Sequence, residues 1–382
     1  MSILNSLISI VSLNSQKHSI AYSSASFSNG DNFGLNHVSK LNKQTNTQTH
    51  NGPTITEMSF FDEEIKKSIW DGKIPIIFTL SPNDLTSHIP PSPYSLMAPR
   101  NSYFPLITNV VKEHFKSSTL VLADEMWLEY NGVPIKWHIP IGVLYDSLVG
   151  GNNKTSEDDP NQGYWNLVVH FQSYPDKILK CPNEEYIKTH YKNVLKEANY
   201  IKQGDITKLN NLNINQTNEL WDGLKYHDYD KFWSINKKFY PNSTKEYKYI
   251  PIRIIYNCKP PVQELIPVFD ENGEETTLQM LFNFIPFQNV ENILGNSNSS
   301  SNSNSNNNDD NDDNNNNNVS KSDQVKEIDS KFKTLFDYLN SGVKYKIQGI
   351  EPDLSSSVVW LNEFFGYPDN FLYIVLLDPI SK

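Results

Sequence analysis

The chain has 382 residues, a formal net charge of −11 and 12% aromatic residues, enough length for two or three domains and enough large side chains for their cores. The acidic balance and the lack of a basic stripe argue against a nucleic-acid partner, and two cysteines in a chain this long argue against a disulfide framework. No segment approaches the ~20 apolar residues of a spanning helix, and the apolar start, Ile3 to Val11, lacks a basic flank and a cleavage site, so the sequence reads as a soluble cytosolic protein.

Residues 1–58 are rich in Ser, Asn and Thr without a sustained period and read as a disordered leader. Residues 59–72 hold a short amphipathic helix, Ser59 to Trp70, with Ser59 as its cap. Residues 73–175 form a first strand-rich module. Its predicted elements are a strand Ile74 to Leu80, its neighbour Tyr94 to Pro99, a helix Tyr103 to Phe115 and a strand Met126 to Tyr130. The Asn131-Gly132 turn then leads to a returning strand Ile135 to His138, a short helix Ile141 to Leu148, a polar loop Gly150 to Asn161 and a strand Trp165 to Phe171.

Residues 176–247 are helical. The longest helix has Asn183 as N-cap, Glu184 and Glu185 in its first turn and Gly204 as its left-handed stop. Ile187, Tyr191, Val194, Leu195, Ala198 and Ile201 fall within about 60° of their mean direction and must be buried. Lys196 points away from that stripe, with Lys192 one turn earlier, so both are expected to face solvent. Further helices are predicted over Thr217 to Leu224 and Tyr229 to Phe239.

Residues 248–382 repeat the first pattern: strands Tyr249 to Tyr256 and Val262 to Phe269, a helix Thr277 to Phe284, a strand Val343 to Ile350, a short helix Val358 to Phe365 and a strand Phe371 to Leu377. An insertion at about 287–341 interrupts it. Within it lie an Asn/Ser/Asp tract, Asn296 to Asn318, and a helical pattern from Val325 to Leu339. A hairpin feeding a helix across a mixed sheet is the β-grasp arrangement. The fold class is therefore α+β: two ubiquitin-like modules flanking a helix-rich domain, with a disordered leader and a low-complexity insertion.

Few residues carry obvious chemistry. The nine histidines show no metal-ligand spacing, and there is no glycine-rich phosphate loop or nucleophile elbow, so neither metal nor cofactor is expected. Cys181, beside Pro182 at a helix start, is the one candidate nucleophile, because such a position favours a thiolate. Cys258, beside Pro260-Pro261, reads as structural. Trp221, Phe232 and Trp233 read mainly as core, with a share in a groove where a partner helix docks.

Several short motifs recur in an order that resembles one family. They are Trp70-Asp71-Gly72-Lys73-Ile74-Pro75, Pro99-Arg100, Trp127 with Glu129-Tyr130, Pro134 to His138, Pro140-Ile141-Gly142 and Trp165-Asn166. They continue with Cys181-Pro182, Lys196-Glu197-Ala198, Leu220-Trp221, Phe232-Trp233, Tyr249-Ile250-Pro251 with Arg253, Gly349-Ile350 and Pro368-Asp369-Asn370-Phe371-Leu372. From about residue 59 onward the chain resembles the autophagy protein 5 family, acceptors of the ubiquitin-like autophagy protein 12. The resemblance implies a non-catalytic subunit of an E3-like complex. Such a subunit is joined to autophagy protein 12 by an isopeptide bond and bound without a covalent link to the coiled-coil autophagy protein 16. It works with the conjugating enzymes of the autophagy protein 12 and 8 systems, promoting transfer of autophagy protein 8 to phosphatidylethanolamine. It also implies a cytoplasmic protein recruited through its complex to the phagophore membrane. The family motif whose lysine accepts the conjugate matches Lys196. The leader, the insertion and the helix near Val325 to Leu339 depart from the family pattern. The competing reading is a thiol enzyme that forms its own thioester through Cys181.

Overall fold

The computed structural model describes residues 55–119, 126–150, 163–257, 259–294 and 332–377. The expected leader up to residue 54, the loop at 151–161, Cys258, the Asn/Ser/Asp tract, and Val325 and Ile328 lie outside the described residues.

Helix α1 (Ile55–Trp70) leads into strand β1 (Lys73–Leu80), which pairs antiparallel with β2 (Tyr94–Pro99). Two short helices follow, α2 (Phe104–Ile107) and α3 (Asn109–Phe115), then β3 (Trp127–Tyr130), β4 (Val133–Pro134), α4 (Ile141–Leu148) and β5 (Trp165–His170). The sheet order is β2-β1-β5-β3-β4, with β5 parallel to β1. The helical region holds α5 (Glu184–Gln203), α6 (Thr207–Asn210), α7 (Ile214–Lys225) and α8 (Tyr229–Asn236). The second module has β6 (Ile250–Tyr256), β7 (Leu265–Ile266), α9 (Leu278–Phe284), α10 (Phe287–Leu294), α11 (Leu335–Leu339), β8 (Lys344–Lys346), α12 (Val358–Phe365) and β9 (Leu372–Leu377). Its sheet order, β7-β6-β9-β8 with β9 parallel to β6, repeats the first without the short fifth strand. Both modules are thus mixed β-grasp sheets.

Three apolar cores are fused through shared elements. Side chains alternate across a strand, and β9 uses both faces. Leu372, Ile374 and Leu376 enter the core of the second module, while Tyr373, Val375 and Leu377 enter that of the first. Helix α1 ties the modules to the bundle in the same way: Ile65 and Ile69 pack in the second core and Trp70 in the helical one. Each large aliphatic side chain so buried contributes roughly 1.5–3 kcal/mol.

Several elements differ from the sequence expectation. Helix α1 begins at Ile55, so Ser59 lies inside it rather than capping it. The single helix expected over Tyr103 to Phe115 is divided in two at Thr108, a turn residue whose φ −85° and ψ −6° lie at the edge of the helical region. The returning strand expected over Ile135 to His138 is only Val133–Pro134: Pro134 has no N–H for the ladder, and a turn closes with Ile139 N–H donating to Lys136 O at 3.2 Å. Pro267, directly after Leu265–Ile266, shortens the strand expected over Val262 to Phe269, of which Val262 keeps an isolated bridge to Ile254. The strand expected over Val343 to Ile350 stops at Lys346, because Gln348 (φ 51°) and Gly349 (φ 82°) form a tight left-handed turn. The helix expected from Val325 is capped at Thr334, whose side chain accepts from Asp337 N–H at 3.2 Å, and only Leu335–Leu339 is helical among the described residues. Val290 and Leu335, at the two ends of the expected insertion, are fully buried in the second core and belong to the module itself.

Candidate functional site

The site is organised by α5. Asn183 Oδ1 accepts from Glu185 N–H at 3.0 Å, and Gly204 ends the helix at φ 79°. Its apolar stripe divides between two neighbours. Ile187, Tyr191 and Leu195 enter the helical core, and Val194, Ala198 and Ile201 enter the core of the first module. Lys188, Lys192 and Lys196, four residues apart, line up along one side. All three are half-buried, which corrects the expectation that Lys192 and Lys196 stand fully in solvent. Burial, and then the ammonium groups of Lys188 and Lys196, pull the Lys192 pKa below its ordinary value against the opposing pull of Glu185. Lys196 has no hydrogen-bond or ion-pair partner among the described residues.

The next residue holds the helix in place. Glu197 Oε2 accepts from Arg253 Nη2 at 2.8 Å and Glu197 Oε1 from Gln263 Nε2 at 3.0 Å, so α5 is clamped to β6. Arg253 also donates to the Tyr373 hydroxyl at 3.3 Å and lies 3.9 Å above the Phe371 ring. Behind it is the loop Pro368 to Phe371, where the three units meet. The buried Asp369 carboxylate accepts from the hydroxyls of Tyr103 at 3.2 Å and Tyr373 at 2.8 Å and from Phe371 N–H at 3.1 Å. Burial raises the Asp369 pKa against the pull of Arg253 and these donors. Asn370, at φ 67°, accepts from Asn236 and from the Tyr240 hydroxyl, both at 3.1 Å. The Pro-Asp-Asn-Phe-Leu motif is therefore a junction.

The other arginine plays the same part on the far side of the first module. Arg100 forms an ion pair with Asp146, whose side chain is 2% exposed. Its guanidinium also packs against Gly349, where an added Cβ would stand 3.1 Å from Nη2. Gln348 donates to Asn101 at 2.9 Å beside it. Arg100 and Arg253 are the only arginines in the chain, and both clasp two units together. The fixed guanidinium fork suits that work better than a flexible ammonium.

The remaining candidates fare differently. Cys181 is half-buried, and burial pushes its thiol up to about 11, the reverse of the thiolate expected at a helix start. Trp221 and Phe232 are buried in the helical core, as expected, with Trp221 Nε1 donating to Glu184 at 2.9 Å. Trp233 is half-exposed and, with Ile69, Trp70, Phe232, Phe364 and Lys66, lines a shallow aromatic cleft between units. Among the described residues no group of His, Cys, Asp and Glu is placed to hold a metal ion, and no helix is long and apolar enough to cross a membrane. Sequence reasoning missed Lys202, which lies on the buried side of α5 with its Nζ 3.6 Å from the Tyr240 ring centre. Only its position one residue beyond Ile201 in the stripe pointed to it.

Fold and site together define a protein of two ubiquitin-like modules clasped to a helical bundle whose longest helix displays an unpaired lysine. The family models agree, unit by unit. Residues 69–171 match the UblA domain of autophagy protein ATG5, residues 184–242 its alpha-helical bundle region and residues 249–376 its UblB domain. The chain is 56% identical to autophagy protein 5 of Dictyostelium discoideum, over 84% of this chain and 96% of that protein. It is 26% identical to that of Drosophila melanogaster, over 82% and 96%. A crystal structure of Kluyveromyces marxianus Atg5 superimposes with a TM-score of 0.57 at 20% identity, covering 82% of this chain and 99% of that one, a likeness of fold. The chain belongs to the autophagy protein 5 family.

Proposed function

We propose that this chain is the acceptor subunit of an E3-like complex in autophagy, with Lys196 as the residue joined to autophagy protein 12. The observation that carries the proposal is the setting of Lys196. Its amine has no partner to give up among the described residues, and the next residue, Glu197, anchors the helix to the second module. In the transfer, the neutral Lys196 amine attacks the thioester carbonyl. An amide C–N bond forms, the C–S bond breaks, and the amine proton leaves with the thiolate of the conjugating enzyme. The chain offers the amine no base of its own beside it among the described residues, so the base belongs to that enzyme.

The chain's own contribution is placement. Bound to autophagy protein 16 and conjugated, it brings the charged conjugating enzyme of autophagy protein 8 up to phosphatidylethanolamine, and proximity is the catalysis such a scaffold supplies. Recruitment from the cytoplasm to the phagophore membrane follows from the complex. The raised thiol pKa of Cys181 weighs against an enzyme with its own thioester.

Reconstituted lipidation of autophagy protein 8 tests this. Cys181→Ser is expected to keep full activity and Lys196→Arg to lose it. Loss in Cys181→Ser with retention in Lys196→Arg would reverse the assignment.

A further inference from the structure

Between the first module, α5 and β6 lies a cavity of about 180 Å³ whose lining includes Lys136, His138, His190, Arg253, Lys259 and Tyr373. Three fixed cations and two imidazoles from three separate units converge there, in a chain whose formal charge is −11. Near them, among the described residues, are the carboxylates of Glu197, bound to Arg253, and of Asp369, buried behind the Tyr373 hydroxyl. Lys259 Nζ and His138 Nδ1 are shielded from solvent yet have no hydrogen-bond partner among the described residues. Arg253 spends one N–H each on Gln263, Tyr373 and Glu197, which leaves two of the five a guanidinium carries. His190 Nε2 lies 3.1 Å from the carbonyl oxygen of His138, which can only accept, so this nitrogen holds the proton. Buried donors without acceptors are costly and rare, and here they face one cavity.

We propose that this cavity is a binding site for a phosphate monoester, held by Lys259, Arg253 and His138. A tetrahedral dianion offers several acceptor oxygens in different directions, which suits donors arriving from three units better than a planar carboxylate does. It supplies an acceptor for Lys259, a negative charge that favours a proton on His138 Nδ1, and a counter-charge for the cations of the cluster. The present positive field is visible in His138: burial first, then His190, Lys136 and Arg253, hold its pKa down to about 4. The ligand is either a soluble phosphomonoester or the headgroup of a lipid bearing one.

The test uses the full chain with nitrogen-15 histidine, followed by NMR. Inorganic phosphate and glycerol 3-phosphate are titrated at constant ionic strength, with chloride as the control. Vesicles of phosphatidylcholine with and without phosphatidic acid are added in a separate arm. The proposal expects saturable phosphate-dependent shifts at His138 and His190 and a rise in the His138 titration midpoint. It also expects affinity about tenfold or more weaker in Lys259→Gln, the loss of one charge-assisted hydrogen bond. A response to the soluble esters alone assigns a small-molecule ligand; a Lys259-dependent response to phosphatidic acid vesicles assigns a headgroup. No histidine response in any arm, or equal affinity in Lys259→Gln, would overturn the site.

Discussion

Arg253 Nη2 lies 2.8 Å from Glu197 Oε2, joining β6 of the second module to the residue immediately after Lys196. The acceptor lysine of the proposal therefore stands on a helix whose position is set by the opposite module. Glu197 is 44% exposed and Arg253 14%, so solvent screens part of the attraction. The pair stabilises the fold by about 1 kcal/mol or less, and its larger contribution is orientation.

Glu197→Ala is expected to lower the melting temperature slightly and to slow formation of the conjugate without abolishing it. The measurements are a thermal melt and a time course of the heavier band with purified conjugating enzymes. A melt unchanged from the parent together with a lost band would mean that Glu197 takes part in the transfer itself.

Arg100 is the more costly arginine to lose. Asp146 is nearly inaccessible, and removing one partner of a buried ion pair costs about 3–5 kcal/mol because the other charge is left unpaired. Arg100→Met is expected to lose stability on that scale in denaturant unfolding. The double variant Arg100→Met with Asp146→Leu is expected to recover a substantial part of it. A double variant no better than the single one would place the loss in packing against Gly142 and Gly349 instead.

Lys202 gives the fold a pH dependence. Burial pulls its pKa down to about 7, with Glu363 opposing the change. Between that value and the ordinary value near 10.4, the unfolded chain holds a proton that the folded chain lacks. Over that window stability rises with pH, by about 1.4 kcal/mol per unit from this group; below it both states are protonated and the penalty is full. Lys202→Met keeps the aliphatic contacts and removes the penalty. It is expected to melt above the parent at pH 7, with the gap closing towards pH 10. A gap independent of pH would show that Lys202 keeps its ordinary pKa in the folded chain and that burial does not discharge it.

Much of this was legible in the sequence where one period dominates. Helix α5 was readable down to its cap and its stop because Asn183 and Gly204 act locally and the stripe has a clean helical period. The boundaries of α4 and α12 were read correctly for the same reason. Strands were read too long wherever a proline or a left-handed residue cut the ladder, as at Pro134, Pro267 and Gln348. A single-strand pattern holds no record of which backbone groups find partners. The half-burial of Lys196 was invisible because it depends on what the neighbouring units cover. The junction built on Asp369 and Arg253 was present only as short motifs, since residues that meet from three units leave no common period.

The central claim is the acceptor role of Lys196, and an immunoblot of the chain in its cells, in denaturing and reducing gel, tests it most directly. Lys196→Arg keeps the charge and the helix propensity and leaves Ile187, Val194, Leu195 and Ile201 in place. The account predicts a parent band heavier than 43.9 kDa by one small ubiquitin-like protein. It predicts the same band in Lys192→Arg and none in Lys196→Arg, although the latter still folds. A full-strength heavier band in Lys196→Arg would contradict it.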